Sequence, residues 1–380
     1  MEKHDIVIVG AGPAGSACAY FLGKEGYDVL LVDKNRFPRD NACGDGISEK
    51  SISVLNEMGL ADIVRKRARI IRRIMISSET GLTINLEFNK SRKMYVIRRN
   101  IFDNILFHNA KNFANSKENF LVTDIIKKSE KISIKGINSS GKHEIIKSKI
   151  IVGADGSNSI VSKKLSPKNI DSRSSLIALR AYYKIKDLSD VIEIFYTKRL
   201  VPGYLWIFPV NEEVANVGLG MLIEDKKKRN ININMVEYLD HLLKNDNRIR
   251  ERFSGCKRIS DPMGWTIPLG LPEKIQGDGF ILIGDAARLA NPLTGEGIGN
   301  ALISAKIGAE AIKKHIEAGY PLAYYDEMIR KKFRNEMKIS YFLHSMVRNG
   351  ATDFLLMPFF INKRISYSVW NLIKNNLNVV

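Results

Sequence analysis

Residues 4–34, HDIVIVGAGPAGSACAYFLGKEGYDVLLVDK, constrain the fold more than any other stretch of the chain. Residues 6–9 form an unbroken apolar run, the pattern of a strand buried on both faces. Gly10, Gly12 and Gly15 follow with G-x-G-x-x-G spacing. Ala14, Ala17, Cys18, Phe21 and Leu22 then recur at i, i+3, i+4 and i+7, one face of a helix. A second apolar strand, 29–32, ends at Asp33. Gly10 permits the tight turn, Gly12 lets the backbone approach a pyrophosphate, and Gly15 lets helix and strand pack closely. The pyrophosphate belongs on the helix N-terminus, where free N–H groups and the dipole favour an anion. Asp33 is placed to accept hydrogen bonds from an adenosine ribose and would repel a 2′-phosphate. A lone glycine fingerprint is weak, since any glycine-rich turn can match it. Strand, glycines, helix, strand and acid in register make this an ADP-binding βαβ unit.

The remaining composition narrows the class. A chain of 380 residues suits two domains, and no run of 18 apolar residues spans a bilayer. The first strand begins almost at once, so no secretory signal is expected before it. Cys18, Cys43 and Cys256 are far apart, which excludes a C-x-x-C redox pair or a zinc cluster and fits a reducing cytoplasm. The 59 Lys+Arg against 41 Asp+Glu leave a charge of +18. That excess suits an anionic partner (membrane surface, acidic electron carrier or phosphorylated substrate), or reflects a lysine-rich composition spread along the chain. No helix-turn-helix, RNA-binding aromatic signature or zinc finger is present, so no nucleic acid partner is expected.

Farther along, Cys43-Gly44-Asp45-Gly46-Ile47-Ser48 places two glycines around an acid, a loop whose backbone can pass close to something flat. A helix N-terminus is expected at about Ile47, which would lower the Cys43 pKa. An inert packing thiol is the other reading of Cys43. Residues 70–96 read as a hairpin around Glu79-Thr80-Gly81. Arg99 to Asp103 open a helix, with Arg99 either on a cofactor or at the surface. Strands 120–126, 131–137 and 143–146 form a meander leading to the apolar strand 150–153 and then Asp155-Gly156, a second approach to a cofactor or a common turn. Strands 177–185, 191–196, 204–209 and 214–221 alternate as an inserted antiparallel sheet, with a turn at Asn211 and a helix over 234–253. Period two puts Tyr204, Trp206 and Phe208 on one face, either core or the wall of an apolar cavity. Lys226 to Arg229 read as a solvated basic loop. Strand 279–283 ends at Gly284-Asp285, where a polyol hydroxyl would be gripped. The loop through Pro292, Gly295 and Gly297 opens a helix at Ile298, its dipole suited to a negative ring. Residues 320–380 are helical, with an apolar run at 354–361 that either caps the core or touches a membrane.

Together these pieces resemble the flavoprotein superfamily of para-hydroxybenzoate hydroxylase over nearly the whole chain. The matching motifs are Gly10 to Gly15 with Asp33, Arg99 to Asp103, Asp155-Gly156, and Gly284-Asp285 with Pro292 and Gly295. Within it, the chain is most similar to the geranylgeranyl reductase family of archaea, bacteria and plants. That rests on the Cys43 to Ser48 motif and on Tyr204-x-Trp206-x-Phe208-Pro209 followed by Gly218 and Gly220, the latter specific to this branch. The resemblance implies an α/β fold: a Rossmann-like, glutathione-reductase-type FAD-binding domain over 1–69, 97–175 and 267–319. It implies an inserted antiparallel-sheet, isoprenoid-binding domain over 70–96 and 176–266, and a C-terminal helical segment over 320–380. The cofactor implied is FAD. Gly10, Gly12, Pro13, Ala14, Gly15 and Lys34 would hold its nucleotide end with Asp33 on the ribose, and Arg99 would meet the pyrophosphate region. Asp155, Gly156 and Asp285 would meet its middle, with Asp285 on the ribityl chain, and Cys43, Gly44, Pro292, Gly295, Gly297 and Ile298 would lie about the ring. Tyr204, Trp206, Phe208, Pro209 and Gly218 would wall an isoprenoid tunnel. The tail beyond Tyr320 is shorter than in many archaeal reductases.

No second glycine fingerprint is present, so there is no separate nicotinamide domain, and without a Cys pair a disulfide reductase is excluded. The implied cycle is reduction of FAD by an external donor, NAD(P)H or ferredoxin, then saturation of a C=C bond by hydride and proton. Cys43, Asp45 and water are the candidate proton sources. The expected substrate is an isoprenoid lipid, and the expected location is cytoplasmic and peripheral to a membrane. The alternatives are an aromatic hydroxylase of the same superfamily, with a compact polar pocket, and a non-catalytic flavin-bearing protein that binds a membrane or partner. A halogenase is disfavoured, since no W-x-W-x-I-P stretch occurs.

Overall fold

The computed structural model describes residues 2–88, 93–128, 131–167, 175–224, 234–270 and 274–356. The apolar N-terminal run does form a buried strand: Ile6, Val7 and Ile8 are fully buried within Glu2–Val9. This strand pairs in parallel with Val29–Val32 on one side and with His143–Gly153 on the other. Phe280–Leu282 and Asn115–Lys117 extend the parallel sheet outward on its two sides. The expected strands 143–146 and 150–153 are one continuous strand. Its first half pairs with the antiparallel Leu121–Lys128 and Lys131–Ile137 meander and its second half with Phe280–Leu282.

Small residues decide how the helices cover this sheet. Ala14, Ala17 and Cys18 are buried on Pro13–Lys24, which packs on Ile298–Ala318, whose Ala301, Ala305 and Ala309 lie buried in the same core. Pro13–Lys24 also packs on Arg99–Lys111.

A second sheet carries the inserted residues. Its order is Lys257–Arg258, Ser175–Lys184, Val214–Leu222, Leu205–Pro209, Val191–Phe195, Arg73–Ser77 and Thr83–Glu87, and Met263–Pro268 also pairs with Ser175–Lys184. Of the hairpin read at 70–96, Arg73–Ser77 and Thr83–Glu87 join this sheet through a parallel pairing of Arg73–Ser77 with Val191–Phe195, while Arg69–Ile71 and Met94–Val96 form a separate small sheet with Gly46–Ile47. Leu179, Ala181, Leu205, Ile207, Val217 and Leu219 turn one face into a core capped by Met235–Asn245. The helix expected over 234–253 is broken: Asp246 leaves the helical region, and a short helix Arg250–Phe253 follows. The basic loop at Lys226 lies outside the described residues, as does the apolar tail from Met357; Thr352–Leu356 is the last described helix.

The crossing of the first helix over its strand depends on Gly15. A Cβ there would lie 1.8 Å from the Gly10 carbonyl oxygen, a backbone atom that cannot swing aside. Gly15→Ala is expected to cost about 1–3 kcal/mol or more by overpacking. Denaturant unfolding measures this, and an unchanged midpoint would refute the close approach.

Candidate active site

One cavity of about 1070 Å³ runs between the two sheets and has two arms. The first follows the carboxyl ends of the parallel strands, past Gly10, Gly12, Pro13 and Ala14, then Asp33 and Lys34, to Ala154–Asn158 and Asp285. The second crosses the open face of the inserted sheet between Ile74, Ile76, Ile84, Leu86, Ile192 and Ile194. They meet at Cys43 and Gly44.

The first arm is built for a dinucleotide. Gly10 sits at φ +99° with the Ala154 carbonyl 2.5 Å from where a Cβ would stand, so only glycine fits. Gly12 caps Pro13–Lys24 with no side-chain acceptor, which leaves the first-turn N–H groups open to an anion. Asp33 is fixed by the Ala11 and Asn35 N–H groups, each at 2.8 Å. Arg39 spans the gap: its guanidinium lies 2.8 Å from Asp103 and 4.0 Å from Asp33, beside the open side of Gly12. Arg99 forms a two-pronged pair with Asp103 at 2.7 and 2.8 Å, which keeps it fully charged at the cavity wall. The Asp285 carboxylate lines the cavity with no hydrogen-bond partner among the described residues, and burial raises its pKa while Arg99 opposes the shift. Ile298–Ala318 begins at Gly297 without a side-chain cap, so a second free helix N-terminus lies at the cavity beside Gly295 and Gly297. An open glycine cradle, two uncapped helix ends and an unpartnered carboxylate fit a bound dinucleotide.

The Cys43 loop is held from the inserted sheet. Strand register places Phe208, Asn216 and Tyr182 in one cross-strand row and Trp206, Gly218 and Arg180 in the next. The Asn216 amide donates to the Cys43 carbonyl and to Asp45 Oδ2, both at 2.7 Å, and accepts from Trp206 Nε1 at 3.0 Å. Tyr182 donates its hydroxyl to the same Asp45 oxygen at 2.7 Å. Arg180, fully buried, donates to Asp40 at 2.6 Å and to the Asn41 carbonyl at 3.3 Å. Arg98 and Arg180 lie over the Tyr182 ring at 4.4 and 4.5 Å. Asp45 itself is fully buried at φ +67°, with Oδ1 unpartnered. Burial pushes its carboxyl up to about 6, although Asn216 and Tyr182 hold it down.

Several expectations change here. Gly46–Ile47 is a short strand paired with Met94–Val96, and the helix starts only at Glu49. The Cys43 thiol is therefore not lowered. Burial raises its pKa, with Arg99 pulling down and Asp45 pushing up. Gly44 and Gly46 do admit a flat group, but it is the Phe208 ring, 3.3 and 3.2 Å from where their Cβ atoms would be. Gly218 is no wall residue: a Cβ there would stand 2.3 Å from the Trp206 ring, so it seats the indole. Pro209, Pro292, Gly15 and Asp45 also stay out of the lining. Asp155 reaches the cavity, yet its carboxylate is committed to the Ser159 hydroxyl at 2.5 Å and the Ile160 N–H at 2.6 Å. Tyr204, Trp206 and Phe208 do face the cavity, and Tyr204 donates to the Thr294 carbonyl.

Sequence reasoning passed over Arg39, Arg180, Tyr182, Asn216 and the isoleucines of the second arm. A signal existed for three of them. Alternation along Ser175–Lys184 and Val214–Leu222 puts Arg180, Tyr182 and Asn216 on the face opposite the core, where polar residues in an apolar strand need a partner.

A family model described as an FAD binding domain matches residues 3–306. The digeranylgeranylglycerophospholipid reductase of Methanosarcina acetivorans is 30% identical over 350 residues, covering 88% of this chain and 81% of the relative. That of Thermoplasma acidophilum is 28% identical over 356 residues, 88% of this chain and 85% of the relative. Among solved structures, a geranylgeranyl bacteriochlorophyll reductase-like protein of Thermoplasma acidophilum matches with a TM-score of 0.84 over 100% of both chains, at 24% identity. A myxobacterial chondrochloren halogenase matches at 0.78, over 90% of this chain and 82% of its own, at 21% identity. These structural likenesses establish the fold.

The buried Asp45 makes a pH test. Its raised pKa means that the folded chain takes up a proton between about pH 4 and 6, so its contribution to stability falls as pH rises through that window. From an ordinary value of ~3.9 the loss is roughly 2–3 kcal/mol. In urea titrations, wild type should lose that much relative to Asp45→Asn between pH 4 and pH 7. Parallel pH curves for the two proteins would show that Asp45 ionises without penalty.

Proposed function

Because the chain belongs to the FAD binding domain family, in the branch that includes the digeranylgeranylglycerophospholipid reductases, we propose that it is an FAD-dependent reductase that saturates C=C bonds of geranylgeranyl chains. A digeranylgeranylglycerophospholipid or a similar membrane isoprenoid is the proposed substrate. The observation that carries this reading is the cavity itself: a dinucleotide arm meets, at Cys43, an arm whose walls are isoleucine, leucine and aromatic rings.

Gly10, Gly12, Asp33, Arg39 and Arg99 would hold the nucleotide end of FAD, Asp285 its polyol, and Gly295 and Gly297 its ring. When bound, FAD supplies the hydride equivalent, reloaded by an external donor such as NAD(P)H or ferredoxin. The chain's own residues must then do three things. The first is orientation: an isolated alkene is a poor electrophile, so it must be pinned beside the donor, and Tyr204, Trp206 and Phe208 supply rigid walls for that. The second is exclusion of water, which the isoleucine-lined arm provides.

The third is a proton. Cys43 lines the cavity, and its raised pKa keeps the proton on Sγ at neutral pH. Loss of that proton leaves a thiolate beside the Arg99 guanidinium and within reach of the Asp45 N–H, 3.4 Å from Sγ. Those two donors offset the cost of charge in a buried site. Asp45 stands behind the lining, so it serves the loop and its proton balance, while Cys43 meets the substrate.

An aromatic hydroxylase would want a compact polar pocket, which the isoleucine arm is not. Among the described residues no helix is long and apolar enough to cross a membrane.

The protein should purify with FAD bound, and Asp285→Ala should weaken flavin retention by roughly 1.5–3 kcal/mol, the worth of a hydrogen bond to a charged group. Flavin absorbance after dialysis measures it. Ile194→Asp places a charge in the apolar arm. It should abolish prenyl reduction with flavin content intact, and a variant that loses flavin instead would place the substrate elsewhere. Cys43→Ala should retain flavin and its reduction but slow alkene reduction by about 10²–10⁴-fold, the usual worth of a positioned acid. Unchanged single-turnover rates would leave Cys43 a packing residue.

A further inference from the structure

The long helix Ala323–Arg348 has two faces with different work. Its inner face carries buried Tyr325, Ile329, Phe333 and Met337 into the core. Glu336 and Ser340 on the same side hold Asn291 at 3.0 and 2.9 Å, and the Asn291 side chain in turn accepts from the Leu293 and Thr294 N–H groups of the loop leading to Gly295. Leu343 and Val347 line the apolar arm, and Thr352 and Leu355 of the next helix continue that lining.

The outer face carries Lys331, Arg334, Lys338, Tyr341 and Phe342, all exposed. At 3.6 residues per turn these fall on one stripe along the helix. Phe342 is 65% exposed, the most open large apolar side chain among the described residues. Among the described residues, ion pairs on this helix include Arg330 with Asp326, Arg348 with Glu224, and buried Glu336 with Lys50. None of them uses the three cations of the stripe. These three cations have no ion pair among the described residues, and they stand beside the open Phe342 ring, with Tyr341 at the edge where its hydroxyl packs close to Gly270. This matches an anionic bilayer surface, where cations meet headgroups and rings sit at their level. An acidic redox carrier would also answer to the charge. The stripe, however, backs the apolar arm and lies on the wall where a lipid chain is needed, and an exposed phenylalanine favours the bilayer.

We propose that this outer face, Lys331, Arg334, Lys338, Tyr341 and Phe342, docks on an anionic membrane surface and so brings the apolar arm within one helix diameter of the bilayer. Docking stands on the surface alone. Its purpose, passage of a prenyl chain into the arm, rests on the reductase reading above.

The experiment uses the full-length, FAD-loaded protein and sedimentation with vesicles of phosphatidylcholine alone or with a third phosphatidylglycerol. Binding should require the anionic lipid and weaken as salt rises. Each cation near such a surface contributes about a fivefold factor. The triple variant K331E/R334E/K338E should therefore bind at least about a hundredfold more weakly with its flavin content unchanged. Phe342→Ala, which alters no charge, should weaken binding several-fold while leaving the salt dependence in place. Binding that is unchanged in the triple variant, or equal on neutral vesicles, overturns the proposal, as does binding of an acidic ferredoxin lost in the triple variant while vesicle binding stays. Single turnover of dithionite-reduced protein separates this from the reductase reading. The triple variant should reduce detergent-dispersed geranylgeranyl lipid at the wild-type rate and vesicle-borne lipid more slowly. If wild type reduces neither, the reductase reading falls even where vesicle binding survives. If both proteins reduce vesicle-borne lipid equally, the docking face falls and the reductase reading stands.

Discussion

The site depends on one buried amide. Asn216 has no exposure to solvent, and three of its four hydrogen-bonding positions are filled by partners from different parts of the chain. Two of them, the Cys43 carbonyl and the Asp45 carboxylate, belong to a loop that leaves the dinucleotide sheet. The third, the Trp206 indole, belongs to the wall of the apolar arm. A side chain that satisfies all three fixes the distance between thiol and wall without any covalent tie. Removing it would leave the buried Trp206 N–H and the Cys43 carbonyl without that partner and leave Asp45 Oδ2 with the Tyr182 hydroxyl alone, each a cost in a buried site.

The charges of the cavity are sorted by the same logic. Arg39, Arg99, Asp33 and Asp103 close on one another in the dinucleotide arm, where a phosphate would add to a set already balanced. Ile74, Ile76, Ile84, Leu86, Ile192 and Ile194 make the walls of the other arm apolar, and the Cys43 loop is a polar boundary of it. Burial of charge is costly, and it raises the pKa of Asp45 behind the Cys43 loop and of Asp285 in the dinucleotide arm. A thiol under the same burial stays protonated too. The same burial that surrounds the apolar arm therefore keeps the proton on the Cys43 thiol at its edge.

Most of the dinucleotide half was legible in the sequence because its constraints are local. The turn at Gly10, the contact at Gly15 and the acid after the second strand are set by residues a few positions apart, and the strands and helix came out where the pattern put them. Period two put Tyr204, Trp206 and Phe208 on one face but left core and cavity wall equally open, and the wall reading came from the family resemblance. What escaped was non-local. The role of Gly218 follows only once Leu205–Pro209 is known to pair with Val214–Leu222 at the register that lays Trp206 over it. The thiol was misread for the same reason: a helix start was expected at Ile47, while pairing with Met94–Val96 extends the chain there and moves the helix to Glu49. Tertiary contact overrode local propensity at the residues nearest the chemistry.

That loop shows why the inserted sheet is needed at all. Arg180 holds Asp40 and Asn41, Tyr182 and Asn216 hold Asp45, and Phe208 fills the space over Gly44 and Gly46. The covalent chain attaches this loop to the dinucleotide sheet, yet these side-chain anchors come from the other one. A left-handed residue such as Asp45 costs strain that only surrounding contacts can hold in place. The inserted sheet supplies those contacts from the face that also walls the apolar arm. Anything that shifts the wall must then shift the thiol with it, so the shape of the apolar arm and the position of Cys43 cannot vary independently.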